Sequence, residues 1–141
     1  MNLMRIGLTA MMTAVLSMGI ACAQEPVDPQ PAKPLTYVHP SYHKVTPDVA
    51  KKMMEEGGVL IDVREPDEFA EGHVKGAVNV PMSVLKPGMK LKAVPNFEDK
   101  VLVQCKSGVR AENASKILIE TGYKNVYNAY GTSQWKYGLV K

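Results

Sequence analysis

The chain has 141 residues, of which 45% are hydrophobic and 22% charged, and its formal net charge is +3 at neutral pH. Its lysines are interspersed with acidic residues, which is typical of a solvated mixed-charge surface and gives no reason to expect nucleic-acid binding. The length suffices for one compact domain with its own core and is too short for two.

The first 23 residues have the features of a secretory signal peptide. Arg5 precedes an apolar run over residues 6–20, and the segment ends in the small residues Ala21-Cys22-Ala23. Thr, Ser and Gly interrupt the run, which is shorter than the roughly 20 apolar residues of a membrane-spanning helix. We therefore expect a periplasmic or secreted protein, cleaved after Ala23 and not associated with a membrane afterwards.

Cysteine usage becomes informative once this segment is removed. Cleavage removes one of the 17 basic residues and none of the 14 acidic ones, which lowers the formal charge to +2. It also discards Cys22 and leaves Cys105 as the only thiol. Acylation of Cys22 in a lipoprotein is an alternative, although Gly19 stands where that signal usually has Leu. A single exported cysteine is either buried and inert or reactive, and the count alone leaves both open.

Proline marks the boundary of the folded part. Residues 24–35 contain four prolines, which favour an extended, solvated linker. We therefore predict a signal peptide over residues 1–23, a linker over 24–35 and one domain over 36–141.

The domain begins with a helix and a strand. Residues 45–58 predict a helix with Thr46 as N-cap, Pro47 in the first turn and Gly57 past its end. Its apolar face would carry Val49, Met53 and Met54. Residues 59–63 form a short apolar run rich in branched side chains, as expected of a strand buried on both faces of a parallel sheet.

The middle of the domain is less regular. Residues 66–72 predict a short helix ended by glycine, and residues 73–81 alternate like a strand closed by Pro81. Between residues 82 and 96, Pro87-Gly88 and Val94-Pro95 predict turns, with a helical turn or two around Val84 and Leu91.

The last third repeats the alternation of strand and helix. Residues 101–103 are apolar and deliver Gln104 and Cys105 to the carboxyl end of a strand, and residues 123–128 predict the final strand. Between them, apolar and small residues recur at helical spacing until Gly122, namely Ala111, Ala114, Ile117, Leu118 and Thr121. This order predicts an α/β fold with a mainly parallel sheet.

The loop from Cys105 to Arg110 has the composition of an anion site. Ser107 and Gly108 let the chain curl, and a helix opening near Arg110 or Ala111 would point free N–H groups into the curl. Such N–H groups favour an anion, which includes the cysteine thiolate. With Lys106 and Arg110 turned inward, we expect an unusually nucleophilic Cys105.

Three segments together resemble the rhodanese family of sulfurtransferases. They are Leu60-Ile61-Asp62-Val63-Arg64-Glu65-Pro66-Asp67-Glu68-Phe69, then residues 72–81 (GHVKGAVNVP), then Cys105-Lys106-Ser107-Gly108-Val109-Arg110-Ala111. They occur in the family's order, and the resemblance covers the chain from Thr46 onward. It implies a five-stranded, mainly parallel sheet with helices on both faces and a cysteine that alternates between thiol and persulfide.

The resemblance also implies a reaction. Cys105 would take the outer sulfur of a donor such as thiosulfate and pass it to cyanide or another thiophile, as in a thiosulfate:cyanide sulfurtransferase. The loop residues Ser107, Gly108 and Val109 would cradle the sulfur, and Lys106 and Arg110 would bind the anionic donor. We expect small-molecule substrates, no cofactor, no metal and a monomer.

Two alternative functions use the same cysteine. In one, the domain is a persulfide carrier or thiol-redox partner of another exported protein. In the other it is related to the phosphatases and arsenate reductases of this fold, but these use C-x5-R, whereas Cys105 and Arg110 give the shorter C-x4-R. Because the wider ring suits a tetrahedral oxyanion and the shorter one a single sulfur, sulfur transfer is favoured.

Other polar residues have structural explanations. Asp62 and Arg64 are candidate supporting residues, but we expect Arg64 to pair with Glu68 and brace the domain. A general base is not needed once a thiolate exists, so no catalytic role is expected for His73. His39 and His43, without a second Cys in the domain, do not suggest zinc.

Near the end of the chain, Trp135 is expected in the core. Thr132 stands where the family usually has a second glycine. Its side chain would narrow the approach to the loop.

Overall fold

The computed structural model of the protein describes residues 34–141. The predicted signal peptide, including Cys22, and nearly all of the predicted linker lie outside these residues. Within the described residues, no helix is long and apolar enough to span a membrane.

The elements alternate as the sequence predicts. Residues 34–141 form three helices, which are α1 (Pro47–Glu55), α2 (Pro66–Glu71) and α3 (Val109–Thr121). They also form five strands, which are β1 (Tyr42–Lys44), β2 (Val59–Asp62), β3 (Val78–Asn79), β4 (Lys100–Cys105) and β5 (Asn125–Gly131). The strands form one sheet in the order β1-β5-β4-β2-β3, and every pair is parallel. The expected α/β architecture is confirmed.

Alternate residues of β4 divide the core into two layers. Val101, Val103 and Cys105 pack on one face of the sheet with residues of α3 such as Ala114 and Leu118. Leu102 points to the other face and packs with Ala50 and Met53 of α1. Helices therefore cover both faces, as predicted, and Cys105 lies on the face that carries α3.

Helix boundaries agree with the capping residues. The Thr46 hydroxyl accepts a hydrogen bond from the Val49 N–H at 3.4 Å, Pro47 begins α1, and Gly122 ends α3. The predicted inward position of Val49 is wrong, because Val49 is 45% exposed and Ala50 is fully buried in its place.

Three predicted segments differ from the structure. The predicted strand over 73–81 is paired only at Val78–Asn79, because Gly76 adopts a left-handed conformation with φ 89° and His73 bridges to Val140 instead. The last strand lies at 125–131 rather than 123–128, and β1 was not predicted. In residues 82–96 the helical turn predicted around Val84 is present, since the Val84 and Leu85 N–H groups donate to the Pro81 carbonyl at 2.9 and 3.0 Å, whereas the turn around Leu91 is not helical.

Candidate functional site

Cys105 is the last residue of β4, and its side chain is almost fully buried, with 1% of the residue exposed. Gly108 turns the chain with φ 115°, which directs its N–H to the Cys105 sulfur at 3.0 Å. α3 begins at Val109, slightly earlier than predicted. The sulfur therefore lies at a strand end, beside a helix N-terminus whose dipole and N–H groups favour negative charge.

The end of β5 braces the loop of residues 105–110, here called the cysteine loop. The Cys105 carbonyl accepts the Thr132 N–H and the Lys106 carbonyl accepts the Ser133 N–H, both at 3.0 Å. A Cβ on Gly131 would overlap the Lys106 carbonyl group. Only glycine permits this approach of the two backbones. From the sequence, Gly131 is the first of the two positions where the family usually has glycine, but this backbone contact could not be predicted.

A buried asparagine, also missed in the sequence, holds the far end of the loop. The Asn128 amide nitrogen donates to the Gly108 carbonyl at 3.1 Å and to the Tyr42 hydroxyl at 2.9 Å, and its oxygen accepts the Tyr130 N–H at 2.8 Å. Burial raises the pKa of Tyr42 to about 12, so its phenol is neutral at physiological pH. Asn128 thus joins β1, β5 and the loop.

Arg110 is held by a carboxylate. Its Nη1 and Nη2 donate to the two oxygens of Glu68 at 2.7 and 3.0 Å, and both side chains are about one-third exposed. This hydrogen bonding lowers the pKa of Glu68 to about 2 and raises the pKa of Arg110. The predicted side-chain pairing of Glu68 with Arg64 is wrong.

Arg64 instead forms a buried pair with Asp62. Its Nε and Nη2 donate to Asp62 at 3.0 and 2.8 Å, and Nη2 and Nη1 also donate to the carbonyls of Gly72 at 2.8 Å and Glu68 at 3.3 Å. Through these hydrogen bonds Arg64 fixes α2 to the end of β2. This geometry supports a structural role for Arg64 and Asp62.

The remaining loop residues differ in exposure. Lys106 is exposed, whereas Ser107 and Val109 are half-buried. Lys106 forms no ion pair with any residue of 34–141. A Cβ built on Gly108 would lie 3.4 Å from Leu35 Cδ1, so Leu35, the last residue of the predicted linker, covers this part of the loop.

The histidines and Trp135 are engaged elsewhere. The His73 ring stacks on Phe69 with centroids 3.7 Å apart, and the His43 ring stacks on Tyr127 at 4.9 Å. His39 accepts the Ser41 N–H through Nδ1. Trp135 is half-buried and packs on the core layer that includes α1. Within 34–141, no group of three or more His, Cys, Asp or Glu side chains is arranged to hold a metal ion.

Comparison with known proteins agrees with this architecture. The Rhodanese-like domain family matches residues 46–137. The thiosulfate sulfurtransferase GlpE of Haemophilus influenzae is 33% identical over 91 residues, covering 64% of this chain and 84% of that protein. The thiosulfate sulfurtransferase PspE of Escherichia coli is 42% identical over 71 residues, covering 50% and 67%. A relative from Schizosaccharomyces pombe is 42% identical over 88 residues, and the chain spans 62% of its length.

Two solved structures share the fold. A rhodanese with anions from E. coli superposes with a TM-score of 0.55 at 38% identity, covering 60% of this chain and 99% of that one. The human single-domain sulfurtransferase TSTD1 superposes with a TM-score of 0.57 at 27% identity, covering 65% and 93%.

Proposed function

The chain belongs to the Rhodanese-like domain family, and from this premise we propose that it transfers sulfane sulfur from a donor such as thiosulfate to a thiophile through a persulfide on Cys105. Relatives named thiosulfate sulfurtransferase support a sulfurtransferase role. The observation that carries the proposal is the buried Cys105 sulfur, which accepts the Gly108 N–H at 3.0 Å in a loop braced by β5.

The reaction has two balanced steps. The Cys105 thiolate attacks the outer sulfur of thiosulfate, a new S–S bond forms, the S–S bond of the donor breaks, and sulfite leaves with the electron pair. The thiophile, for example cyanide, then attacks the terminal sulfur of the persulfide and departs as thiocyanate, which regenerates the thiolate. The Gly108 N–H and the N-terminus of α3 would stabilise negative charge on sulfur in both forms.

The short loop supports sulfur over phosphate or arsenate. Four residues separate Cys105 from Arg110, and the Lys106 peptide lies directly against Gly131. The loop therefore has no room to widen towards β5 without displacing that strand.

Mass spectrometry of the purified domain after incubation with thiosulfate tests the proposal. We expect one added sulfur atom, located on Cys105 and removed by cyanide. The matched control is Cys105→Ser, which replaces only the sulfur atom by oxygen and should gain no sulfur. Absence of the added sulfur in the wild type, or its persistence in Cys105→Ser, would contradict the proposed function.

A further inference from the structure

The Arg110 guanidinium, which the sequence suggests as the binding group for an anionic donor, is occupied by the Glu68 carboxylate. Both of its terminal nitrogens are used in the bidentate pair, at 2.7 and 3.0 Å. We propose that Glu68 is a specificity-determining residue, which holds Arg110 in the free enzyme and disfavours donors of high negative charge. This inference rests on the proposed function.

Local structure fixes Glu68 in this position. It is the third residue of α2, where its Oε1 also accepts the Glu65 N–H at 3.2 Å in a capping box. Arg110 is the second residue of α3. The pair therefore joins the first turns of two helices, and Glu68 forms it while keeping its capping-box contact.

The pair also changes the charge that a donor meets. Arg110 and Glu68 cancel, and Arg64 and Asp62 form a separate buried pair. Among residues 105–110, this leaves Lys106 as the cation without an ion-pair partner in the described part of the chain. A dianion such as thiosulfate must take Arg110 from Glu68 or lie next to its carboxylate, and either is unfavourable.

The energetic cost of binding a donor beside the Glu68–Arg110 pair should depend on the charge of the donor. It is largest for the inorganic dianion and smaller for a monoanionic organic donor with the same type of transferable sulfur. The geometry thus points to organic persulfides and thiosulfonates as a better-matched class of donor than thiosulfate.

Steady-state kinetics of Glu68→Gln with two donors test this inference. The variant removes the charge but keeps an amide oxygen for Arg110. For thiosulfate we expect KM to fall about fivefold with kcat unchanged. For benzenethiosulfonate, a monoanion, the fall should be about twofold, since the Coulomb energy is proportional to donor charge. Glu71→Gln is the matched control, since Glu71 is exposed on the same helix and forms no ion pair within residues 34–141; it should change neither KM.

Two results would overturn the inference. An equal change for both donors would show that Glu68 does not discriminate by charge. A higher KM for both donors would show that Glu68 serves only to position Arg110. The Glu68→Ala variant repeats the comparison with no amide oxygen left to hold Arg110. Sulfur loading of the wild type distinguishes failure of this inference from failure of the proposed function. If neither donor loads Cys105, the proposed function fails and the inference with it. If the donors load Cys105 but the variants keep the wild-type donor preference, the inference alone is refuted.

Discussion

Two carboxylate–arginine pairs lie near the cysteine loop, and they differ in burial and therefore in how readily they can separate. Asp62 and Arg64 have side chains that are 0% and 7% exposed, so separating them would leave a charge buried without a partner. Glu68 and Arg110 are 32% and 36% exposed, so water can solvate either group when the pair opens. Only the second pair can therefore exchange partners when an anion arrives.

Gly131 is the residue for which the smallest substitution should have the largest effect. In Gly131→Ala the added methyl would overlap the Lys106 carbonyl, so the cysteine loop or β5 must move. We expect the free energy of unfolding to fall by about 2–3 kcal/mol and kcat/KM for sulfur transfer to fall about 100-fold, because the reacting sulfur is misplaced. Urea unfolding and steady-state kinetics measure the two effects.

Gly72→Ala is the matched control for this substitution. Gly72 has an extended backbone with φ 163°, and a Cβ there would contact Leu139 at an ordinary 3.5 Å. The variant should retain wild-type kinetics. Equal loss of activity in both variants would show that the effect at position 131 is not specific to the loop.

The pKa of Glu68 predicts how stability depends on pH. It is about 2 in the folded protein, against an ordinary value of 4.5. Since the folded state holds this proton less tightly than the unfolded state, the pair contributes stability that is complete above about pH 4.5 and is lost as the pH falls towards 2.

Removing this carboxylate should reproduce that loss at neutral pH. We expect Glu68→Gln to be less stable than the wild type at pH 7 by at most about 1 kcal/mol, because the pair is screened by solvent. The difference should shrink by pH 3 in urea unfolding experiments. A difference that stays constant with pH would mean that the ion pair is not its source.

At the level of elements, the sequence predicted the helices and strands that are specified by residues within each element, such as caps and apolar runs. α1, α2 and α3 were predicted because Thr46, Pro66 and Gly122 cap or begin them, and β2 and β4 because their apolar runs are buried on both faces. β1 was missed because its burial pattern of one buried and two exposed residues gives no such run. Its strand conformation depends on pairing with β5, which no local pattern specifies.

Asn128 couples these elements to the loop, which makes Asn128→Ala a test of that coupling. The substitution leaves the Gly108 carbonyl, the Tyr42 hydroxyl and the Tyr130 N–H without this partner inside the protein. We expect a loss of about 2–4 kcal/mol in the free energy of unfolding, since each buried polar group that loses its partner costs about 1–3 kcal/mol and relaxation offsets part of this. Sulfur transfer by the folded fraction should also slow.

Asn125→Ala on the same strand is the control. Asn125 also donates through its amide, to the Glu98 carbonyl at 2.6 Å, but this hydrogen bond is exposed to solvent, so water can replace it. Its substitution should change stability by about 0.5 kcal/mol and leave kinetics unaltered. If the two substitutions reduce stability and activity equally, the burial of Asn128 is not the cause of its effect.

For the molecule as a whole, sequence located the cysteine loop but not what surrounds it. Cys105, Gly108 and the helix behind them follow from a strand, a glycine and a helical pattern that are contiguous in the chain. Glu68 lies 42 residues from Arg110, and their pairing depends on how α2 and α3 meet above the sheet. Both arginines had an acidic residue nearby in the sequence, so charge spacing alone favoured the wrong pair.

We also propose that the whole protein is exported, and its thiol arrangement is compatible with an oxidising compartment. After cleavage at Ala23, Cys105 would be the only thiol, so a disulfide could form only between molecules or with a small thiol. At 1% exposure and with the Gly108 N–H on its sulfur, Cys105 lies too deep for a second protein's cysteine to reach without opening the loop. A small sulfur donor needs a narrower opening of the loop than a second protein does.

Expression of the full chain in a Gram-negative host, followed by cell fractionation and mass measurement, tests this proposal. We expect a monomeric periplasmic protein that begins at Gln24, and a variant lacking residues 1–23 should stay in the cytoplasm. A lipid-modified product beginning at Cys22 would establish the lipoprotein alternative, and an unprocessed cytoplasmic product would rule out export. The burial of Cys105 should prevent a disulfide between two molecules, even if small oxidants still reach the thiol. A stable Cys105-linked dimer from the periplasm would contradict this expectation.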